Sequence, residues 1–192
     1  MKTVVITIVL ASTVIFFWMG FRNSDAKIIE QEIQKTLQAS GGGLEQLKQL
    51  KITGKELEDL DRLEDITAIE DLNLSDNQIE NLKPLSQLEN LIVLDLSKNR
   101  IADLSPLSGL TKLNFLNLDQ NQIGSLGPLL TMPELVGLIL TDNDYADPSP
   151  LMEMKNLRSL YLSLGPNLTQ ADFERIQKAL PNCTVTVVSN TE

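Results

Sequence analysis

The stretch LIVLDLSKNRIADLSPLSGL, residues 91–110, decides the fold. Leu94, Asp95 and Leu96 alternate apolar, polar and apolar, which is the two-residue period of a β-strand. After Asn99 the apolar residues are spaced instead as in a tight turn or one turn of a helix. The stretch therefore predicts a short strand, a change of direction at Asn99, and a return segment of different conformation.

The same pattern recurs along the chain with a period of 22 residues. A fixed period of this length is the signature of a solenoid, in which each repeat packs only on its neighbours. The turn carries an asparagine in four successive repeats: Asn77, Asn99, Asn121 and Asn143. Because this residue follows the strand, we expect its amide to hydrogen-bond backbone groups in the turn. A proline column fixes φ in the return segments: Pro84, Pro106, Pro128 and Pro150.

One strand from each repeat, stacked in register, forms a parallel sheet with about 4.8 Å between strands. The return segments are wider than the strands, so the stack curves with the sheet on its inner side. We therefore expect an α/β solenoid shaped as a horseshoe, with a parallel sheet on the concave face, short turns or helical turns on the convex face, and a cap at each end. Lys55, Tyr145 and Pro148 depart from the repeat pattern, and we expect local irregularity there.

Over about residues 47–163 the pattern L-x-x-L-x-L-x-x-N resembles the 22-residue class of leucine-rich repeats. Repeats of this class occur in bacterial internalins and in a eukaryotic phosphatase-regulatory subunit. The resemblance implies a leucine-rich-repeat horseshoe that binds protein on its concave face and carries out no chemistry. It leaves the identity of the partner open.

The residues on either side of the central strand leucine face away from the core, onto the concave surface. Apolar residues at these positions cluster in neighbouring repeats, with acidic and amide residues beside them, which is typical of a protein interface. Phe115 and Tyr161 are the expected anchors, since aromatic residues are enriched at such interfaces. The alternative is that these are ordinary scattered surface residues. The predicted protein-binding residues are Asp71, Asn73, Val93, Asp95, Phe115, Asn117, Asp119, Ile139 and Tyr161.

Composition and charge exclude several classes of function. Lys and Arg total 16 against 26 for Asp and Glu, and the formal charge of -10 repels the phosphates of nucleic acids. The sequence has no histidine, so its one cysteine, Cys183, lacks the usual activating base. Asp71, Asp95 and Asp119 fall about 8 Å apart along a diagonal of the predicted sheet, too far for one calcium ion. We therefore predict no catalytic, cofactor-binding or metal-binding residues and no nucleic-acid partner.

An uncharged apolar stretch occupies residues 3–21. It is long enough to cross a bilayer as a helix, which needs about 20 residues. We therefore predict a transmembrane anchor or a signal peptide in residues 1–26. The length favours an uncleaved anchor, whereas the small residues Ser24 and Ala26 would permit cleavage after Ala26. The expected location is membrane-anchored and facing the extracytoplasmic side, or secreted or periplasmic after cleavage.

Both ends of the repeat array have sequences suited to a cap, which an open-ended solenoid needs. Residues 27–46 contain a predicted helix, starting after an N-cap at Asp25, that would cap the first repeat or form a stalk above a membrane. Residues 164–192 contain a predicted helix from Thr169 and then a strand that closes the stack and buries Cys183. The amino-terminal helix has one apolar stripe: Ile29, Ile33 and Leu37.

Together these features predict a non-catalytic protein-binding scaffold, tethered to a membrane or exported, that holds a protein partner on its concave face. One alternative is a structural protein of the cell envelope, or a stalk, without a dedicated ligand. Another alternative is a regulatory subunit of an enzyme, which requires the repeats to face the cytosol.

Overall fold

The computed structural model describes residues 7–10, 13–16, 24–165 and 167–188. Two strands near the amino terminus, Thr7–Leu10 (β1) and Thr13–Phe16 (β2), pair with each other in antiparallel fashion. A helix, Ser24–Ser40 (α1), precedes the repeats. Strands β1 and β2 lie within the predicted anchor at residues 3–21, so those eight residues are not the helix that the sequence predicts. The rest of the predicted anchor lies outside the described residues. Among the described residues, no helix is long and apolar enough to cross a bilayer.

Seven strands form one open parallel sheet, and each pairs with the next in chain order. A helix separates the last two strands, and a 3₁₀ turn follows each of the first five on the opposite side of the repeat. This arrangement confirms the predicted solenoid. The strands and the helix are Gln49–Lys51 (β3), Asp71–Asn73 (β4), Val93–Asp95 (β5), Phe115–Asn117 (β6), Gly137–Ile139 (β7), Ser159–Leu162 (β8), Gln170–Ala179 (α2) and Thr184–Val187 (β9). The 3₁₀ turns are Asp61–Leu63, Lys83–Gln87, Ser105–Leu107, Gly127–Thr131 and Ser149–Glu153.

A single apolar core runs the length of the repeat array. It forms because one leucine from each of the strands β3 to β8 points inward and stacks on the leucine of the next strand. Each such burial contributes about 1.5–3 kcal/mol, and it depends on the neighbouring repeat being folded. These stacked leucines are Leu50, Leu72, Leu94, Leu116, Leu138 and Leu160.

The asparagine column is a hydrogen-bonded ladder between repeats, as the sequence predicts. In the rung at Asn99, Nδ2 donates to the carbonyl of Leu96 in its own repeat at 3.0 Å. The same amide donates to Leu74 O of the preceding repeat at 3.1 Å, and Oδ1 accepts from Ile79 N at 3.1 Å. Because buried backbone groups must be paired, each rung fixes the turn and ties it to the repeat before it. Equivalent bonds are made by Asn77, Asn121 and Asn143.

The residue before each ladder asparagine has the left-handed backbone conformation. In L-residues other than glycine this conformation costs about 1–2 kcal/mol. The backbone N–H of the residue before each asparagine donates a hydrogen bond to the following repeat, as from Lys98 N to Asp119 O at 2.8 Å. These hydrogen bonds between repeats offset the cost of the left-handed conformation. In the first repeat this position is Gly54, which adopts the conformation without penalty. The other residues in the column have φ of 60, 56, 54 and 53°: Asp76, Lys98, Gln120 and Asp142.

The sites that depart from the repeat pattern behave differently from one another. Beside Lys55, Glu56 has a φ of 58°, an extra left-handed residue that makes the first turn irregular, as predicted. The prediction of local irregularity at Pro148 is wrong. The backbone angles of Pro148, with φ of -84° and ψ of 0°, nearly match those of Leu126 one repeat earlier. Tyr145 is buried in the core in place of isoleucine, and this burial raises the pKa of its hydroxyl.

Helix α1 covers the open end of the first repeat. Its apolar stripe belongs to the same core as the strand leucines, and Ile29 is fully buried. The helix ends where Gly41, with a φ of 72°, donates its N–H to Leu37 O at 2.8 Å. It begins at Ser24, so Asp25 lies in its first turn and not at the expected N-cap position.

Asp25 fastens this helix to the first repeat. Its Oδ2 accepts hydrogen bonds from the backbone N–H groups of Glu58 and Asp59, both at 2.9 Å. An ion pair between Arg62 Nη2 and Glu30 Oε2, at 2.9 Å, adds a second link. Bonds from backbone N–H to a charged oxygen are roughly twice as strong as neutral ones, so the helix is oriented as well as buried.

The other end is closed by α2 and β9. Thr169 caps the helix: its Oγ1 accepts from Asp172 N at 3.2 Å, and Asp172 Oδ2 accepts from Thr169 N at 3.1 Å. Hydrogen bonds from the Thr169 hydroxyl and N–H hold the pKa of Asp172 below its ordinary value. Cys183 is half-buried and not fully buried as expected, because it lies at the edge of the last turn, and desolvation raises the pKa of its thiol.

Candidate protein-binding face

The concave face carries two columns of outward side chains, one on each side of the inward leucines. Strand pairing places each member directly beside the equivalent residue of the next repeat. The first column is Gln49, Asp71, Val93, Phe115, Gly137, Ser159 and Thr184. The second column is Lys51, Asn73, Asp95, Asn117, Ile139, Tyr161 and Thr186.

The structure brings the predicted apolar residues together in pairs. Val93 lies beside Phe115 in the first column, and Ile139 lies beside Tyr161 in the second. Tyr161 is the most exposed of the four, at 37%. The two pairs fall on four consecutive strands, so they follow one diagonal across the sheet.

Gly137 sets the position of the Phe115 ring. A Cβ placed on this glycine would lie 2.7 Å from Phe115 Cδ2, closer than any real contact. The ring therefore lies over the backbone of β7, in the space that a side chain would otherwise fill. As a result the phenyl ring lies toward the strand that carries Ile139 and joins the two pairs into one surface.

Two further apolar residues lie immediately before β5 and β7, next to this surface, and were missed in the sequence analysis. Ile92, 41% exposed, and Val136, half-buried, each immediately precede an outward first-column position. The signal was available: the same position holds Lys48, Glu70, Asn114 and Arg158 in other repeats. We call the combined surface the apolar strip; its members are Ile92, Val93, Phe115, Val136, Ile139 and Tyr161.

Three of the predicted binding residues also accept hydrogen bonds from the backbone just after their own strands. Asn73 Oδ1 accepts from Ser75 N, Asp95 Oδ1 accepts from Ser97 N, and Asn117 Oδ1 accepts from Asp119 N, at 3.0–3.1 Å. One oxygen of each is thereby committed to its own turn. The remaining polar atoms of these side chains form the rim of the apolar strip.

The acidic residues predicted on this face are partly engaged as well. Asp119 accepts a hydrogen bond from the buried hydroxyl of Thr141 and another from Gln120 Nε2 at 2.9 Å. Asp71 and Asp95 are half-buried on neighbouring strands but in different columns. Within the described part of the chain, no group of three or more Cys, Asp or Glu side chains could hold a metal ion.

At its amino-terminal end the concave face is polar and contains a cleft of about 670 Å³ between α1 and the strands β3 and β4. Three lysines line it, Lys35, Lys51 and Lys55, together with Glu32 and Asp71. The cleft therefore carries charges of both signs. The face is therefore divided, with mixed charge over the first two repeats and the apolar strip over the later ones.

A family model for leucine-rich repeats, in two copies, matches residues 67–109 and 89–131. No curated protein sequence matches the chain. An internalin C2 of Listeria monocytogenes is 38% identical, with a TM-score of 0.60, and the match covers 62% of this chain and 53% of that one. A second Listeria monocytogenes internalin is 26% identical, with a TM-score of 0.63, over 84% of this chain and 55% of that one.

A leucine-rich-repeat protein of Leptospira interrogans is 28% identical, with a TM-score of 0.67, over 74% of this chain and 37% of that one. The chain therefore spans 37–55% of the length of these three solved structures. The repeat period, the asparagine ladder and the open parallel sheet agree with these matches. These matches and the fold identify the chain as a leucine-rich-repeat protein whose repeats are similar to those of internalins.

Proposed function

We propose that this protein is a non-catalytic scaffold that binds a protein partner through the apolar strip on its concave face. The observation that carries the proposal is the Phe115 ring lying over Gly137, which joins apolar residues of successive strands into one exposed surface. Leucine-rich-repeat proteins generally serve as protein-interaction scaffolds, which is consistent with this use of the sheet.

The chemistry of the strip is that of an interface centre. Aromatic side chains supply large contact area, and Tyr161 adds a hydroxyl that can form a hydrogen bond with a partner. The surrounding rim is polar and acidic, with Asp95, Asn117 and Asp119 alongside. A partner that presents an apolar segment flanked by basic residues would match this surface in polarity and in charge.

We also propose that residues 3–21 hold the protein at a membrane without cleavage, with the repeats on the extracytoplasmic side. Helix α1 begins at Ser24, close behind this segment, and Asp25 accepts the backbone N–H groups of Glu58 and Asp59. Cleavage after Ala26 would remove Asp25 and leave those two donors without it. The contribution of Asp25 to the cap therefore supports an uncleaved amino terminus.

Binding can be tested by placing a photoreactive phenylalanine analogue at Val93, inside the apolar strip, in the full chain expressed in its own cells. The expected result is a discrete adduct with another protein after irradiation. Adding Phe115→Ala should weaken binding by about 2 kcal/mol, or about 30-fold, and reduce the adduct accordingly.

Leu130 provides the matched control for this experiment. It is 45% exposed, a little more than the strip residues, but it lies on the convex side in the turn Gly127–Thr131. The analogue at Leu130 should give no adduct, and Leu130→Ala should leave the Val93 adduct unchanged. Equal adducts from both faces, or no loss with Phe115→Ala, would contradict concave binding.

The location is tested by fractionating cells, adding protease outside the cytoplasmic membrane and finding the mature terminus by mass spectrometry. We expect an intact Met1 in the membrane fraction and repeats digested only from outside. A soluble product beginning at Lys27 would rule out the anchor, and repeats protected inside the cell would rule out export.

A further inference from the structure

Among the residues that the structure describes, the last strand of the sheet, β9, has a free hydrogen-bonding edge. In the described part of the chain it pairs only with β8. Thr184 N donates to Arg158 O and Val188 N donates to Leu162 O, both at 2.8 Å, so the even-numbered residues face β8. Successive residues of a strand direct their backbone groups to opposite sides. The N–H and C=O groups of Val185 and Val187 therefore point outward.

The side chains on this edge favour pairing with another strand. Residues 181–190 carry no charge, although the whole chain has a formal charge of -10. The strand itself alternates Thr and Val, all β-branched, and it has no proline or lysine of the kind that protects exposed edges. Val185 and Val187 are half-buried, so the end of the apolar core is incompletely covered here.

We propose that β9 pairs antiparallel with β9 of a second copy of this chain, so that the two sheets continue into each other. One register pairs all the outward N–H and C=O groups of β9. In this register Val185 lies opposite Val187 of the copy, and Val187 lies opposite Val185 of the copy. Thr186 then lies opposite the Thr186 of the copy. The pairing is self-complementary, as a twofold contact requires.

The same register matches the two faces of the sheet. Val185 and Val187 lie in line with the core residues Leu160 and Leu162, so the two valine pairs extend the core across the contact. Thr184 and Thr186 continue the concave columns of Ser159 and Tyr161. The uncharged edge adds no repulsion between two acidic molecules at the contact itself.

Disulfide trapping tests this register in the full chain, kept in detergent or in its membrane. Cys183 is the only cysteine, so Cys183→Ser gives a background without thiols. In that background Thr186→Cys places two thiols on a pair whose Cα atoms are about 4.5 Å apart, within the range for a disulfide. We expect mild oxidation to produce a covalent dimer.

Thr184→Cys is the matched control, because it lies on the same strand and the same face. In the proposed register the two copies of residue 184 are about 14 Å apart, four residues along the strands, and cannot form a disulfide. The dimer fraction from Thr186→Cys should exceed that from Thr184→Cys at least tenfold. Similar fractions from the two variants, or no dimer from Thr186→Cys, would overturn the proposal.

Discussion

The two ends of the repeat array are closed by different means. At the amino-terminal end, one long helix lays an apolar stripe across the first repeat, and its Asp25 accepts two backbone N–H groups there. At the carboxyl-terminal end, α2 buries Ile176 and a half-exposed strand completes the sheet. The first end is covered by the side chains of a helix, whereas at the second end a further strand extends the sheet.

The difference shows that capping a solenoid involves two separate requirements. Apolar side chains at the end of the core must be shielded from water, and the backbone groups of the last strand must find partners. Helix α1 packs against β3 and meets the first requirement fully. At the other end the Thr169 cap orders α2, and no strand among the described residues pairs with the outward groups of β9.

The largest expected effect comes from removing one buried isoleucine at each end. Ile29 and Ile176 are both fully buried. Because α1 covers the whole end of the core, Ile29→Ala should lower the free energy of unfolding by about 4 kcal/mol and Ile176→Ala by about 2 kcal/mol. Urea denaturation measures both values, and hydrogen exchange should show faster opening in β3 for the first and in β9 for the second. Equal losses would mean that the ends are equivalent.

The next effect concerns the polar attachment of α1. Asp25→Ala leaves the N–H groups of Glu58 and Asp59 without that acceptor, and we expect a loss of about 2 kcal/mol in the free energy of unfolding. Lys27→Ala, an exposed change in the same turn, should alter it by less than about 0.5 kcal/mol. If the two variants are equally stable in urea, the attachment contributes nothing.

A smaller effect is expected from the cap of α2. Thr169→Ala removes the acceptor for Asp172 N and should cost about 1 kcal/mol, as N-cap losses usually do. Thermal unfolding followed by circular dichroism is the measurement. Thr169→Ser keeps the hydroxyl and should behave like the natural protein; a loss with serine equal to that with alanine would place the effect outside the cap.

The smallest effect is a pH dependence at the same cap. The pKa of Asp172 is lowered in the folded protein, from an ordinary value of 3.8, so its contribution to stability is complete above that value. The contribution is lost as the pH falls through the folded pKa. The difference in melting temperature between the natural protein and Asp172→Asn should therefore shrink below pH 3.8. A difference that stays constant with pH would exclude the carboxylate as the cause.

The repeats could be predicted because one local rule, repeated six times, determines both the strand and the core position. The asparagine ladder followed from the same rule, since a buried amide beside unpaired backbone groups has few alternatives. The cap helices followed from their apolar spacing. The link from Asp25 to Glu58 and Asp59 could not be predicted, because it joins residues more than 30 positions apart without a pattern.

The candidate site was less predictable than the fold. The outward columns follow from the period, and they contain the predicted anchors. The rotamer of Phe115 depends on the missing side chain of Gly137, which lies one repeat away. Ile92 and Val136 were missed because the two-residue alternation alone does not show that the residue entering the strand is also exposed.

The asparagine ladder also bears on the chemical ageing of the protein. Deamidation requires the backbone nitrogen after an asparagine to attack the side-chain carbonyl. In the first three rungs that nitrogen donates to the preceding repeat, from Gln78 to Leu57 O, from Arg100 to Ile79 O and from Gln122 to Ile101 O, at 2.9–3.0 Å. Cyclisation would need the stack to open, so the asparagines on which the fold depends are protected for as long as the repeats remain paired.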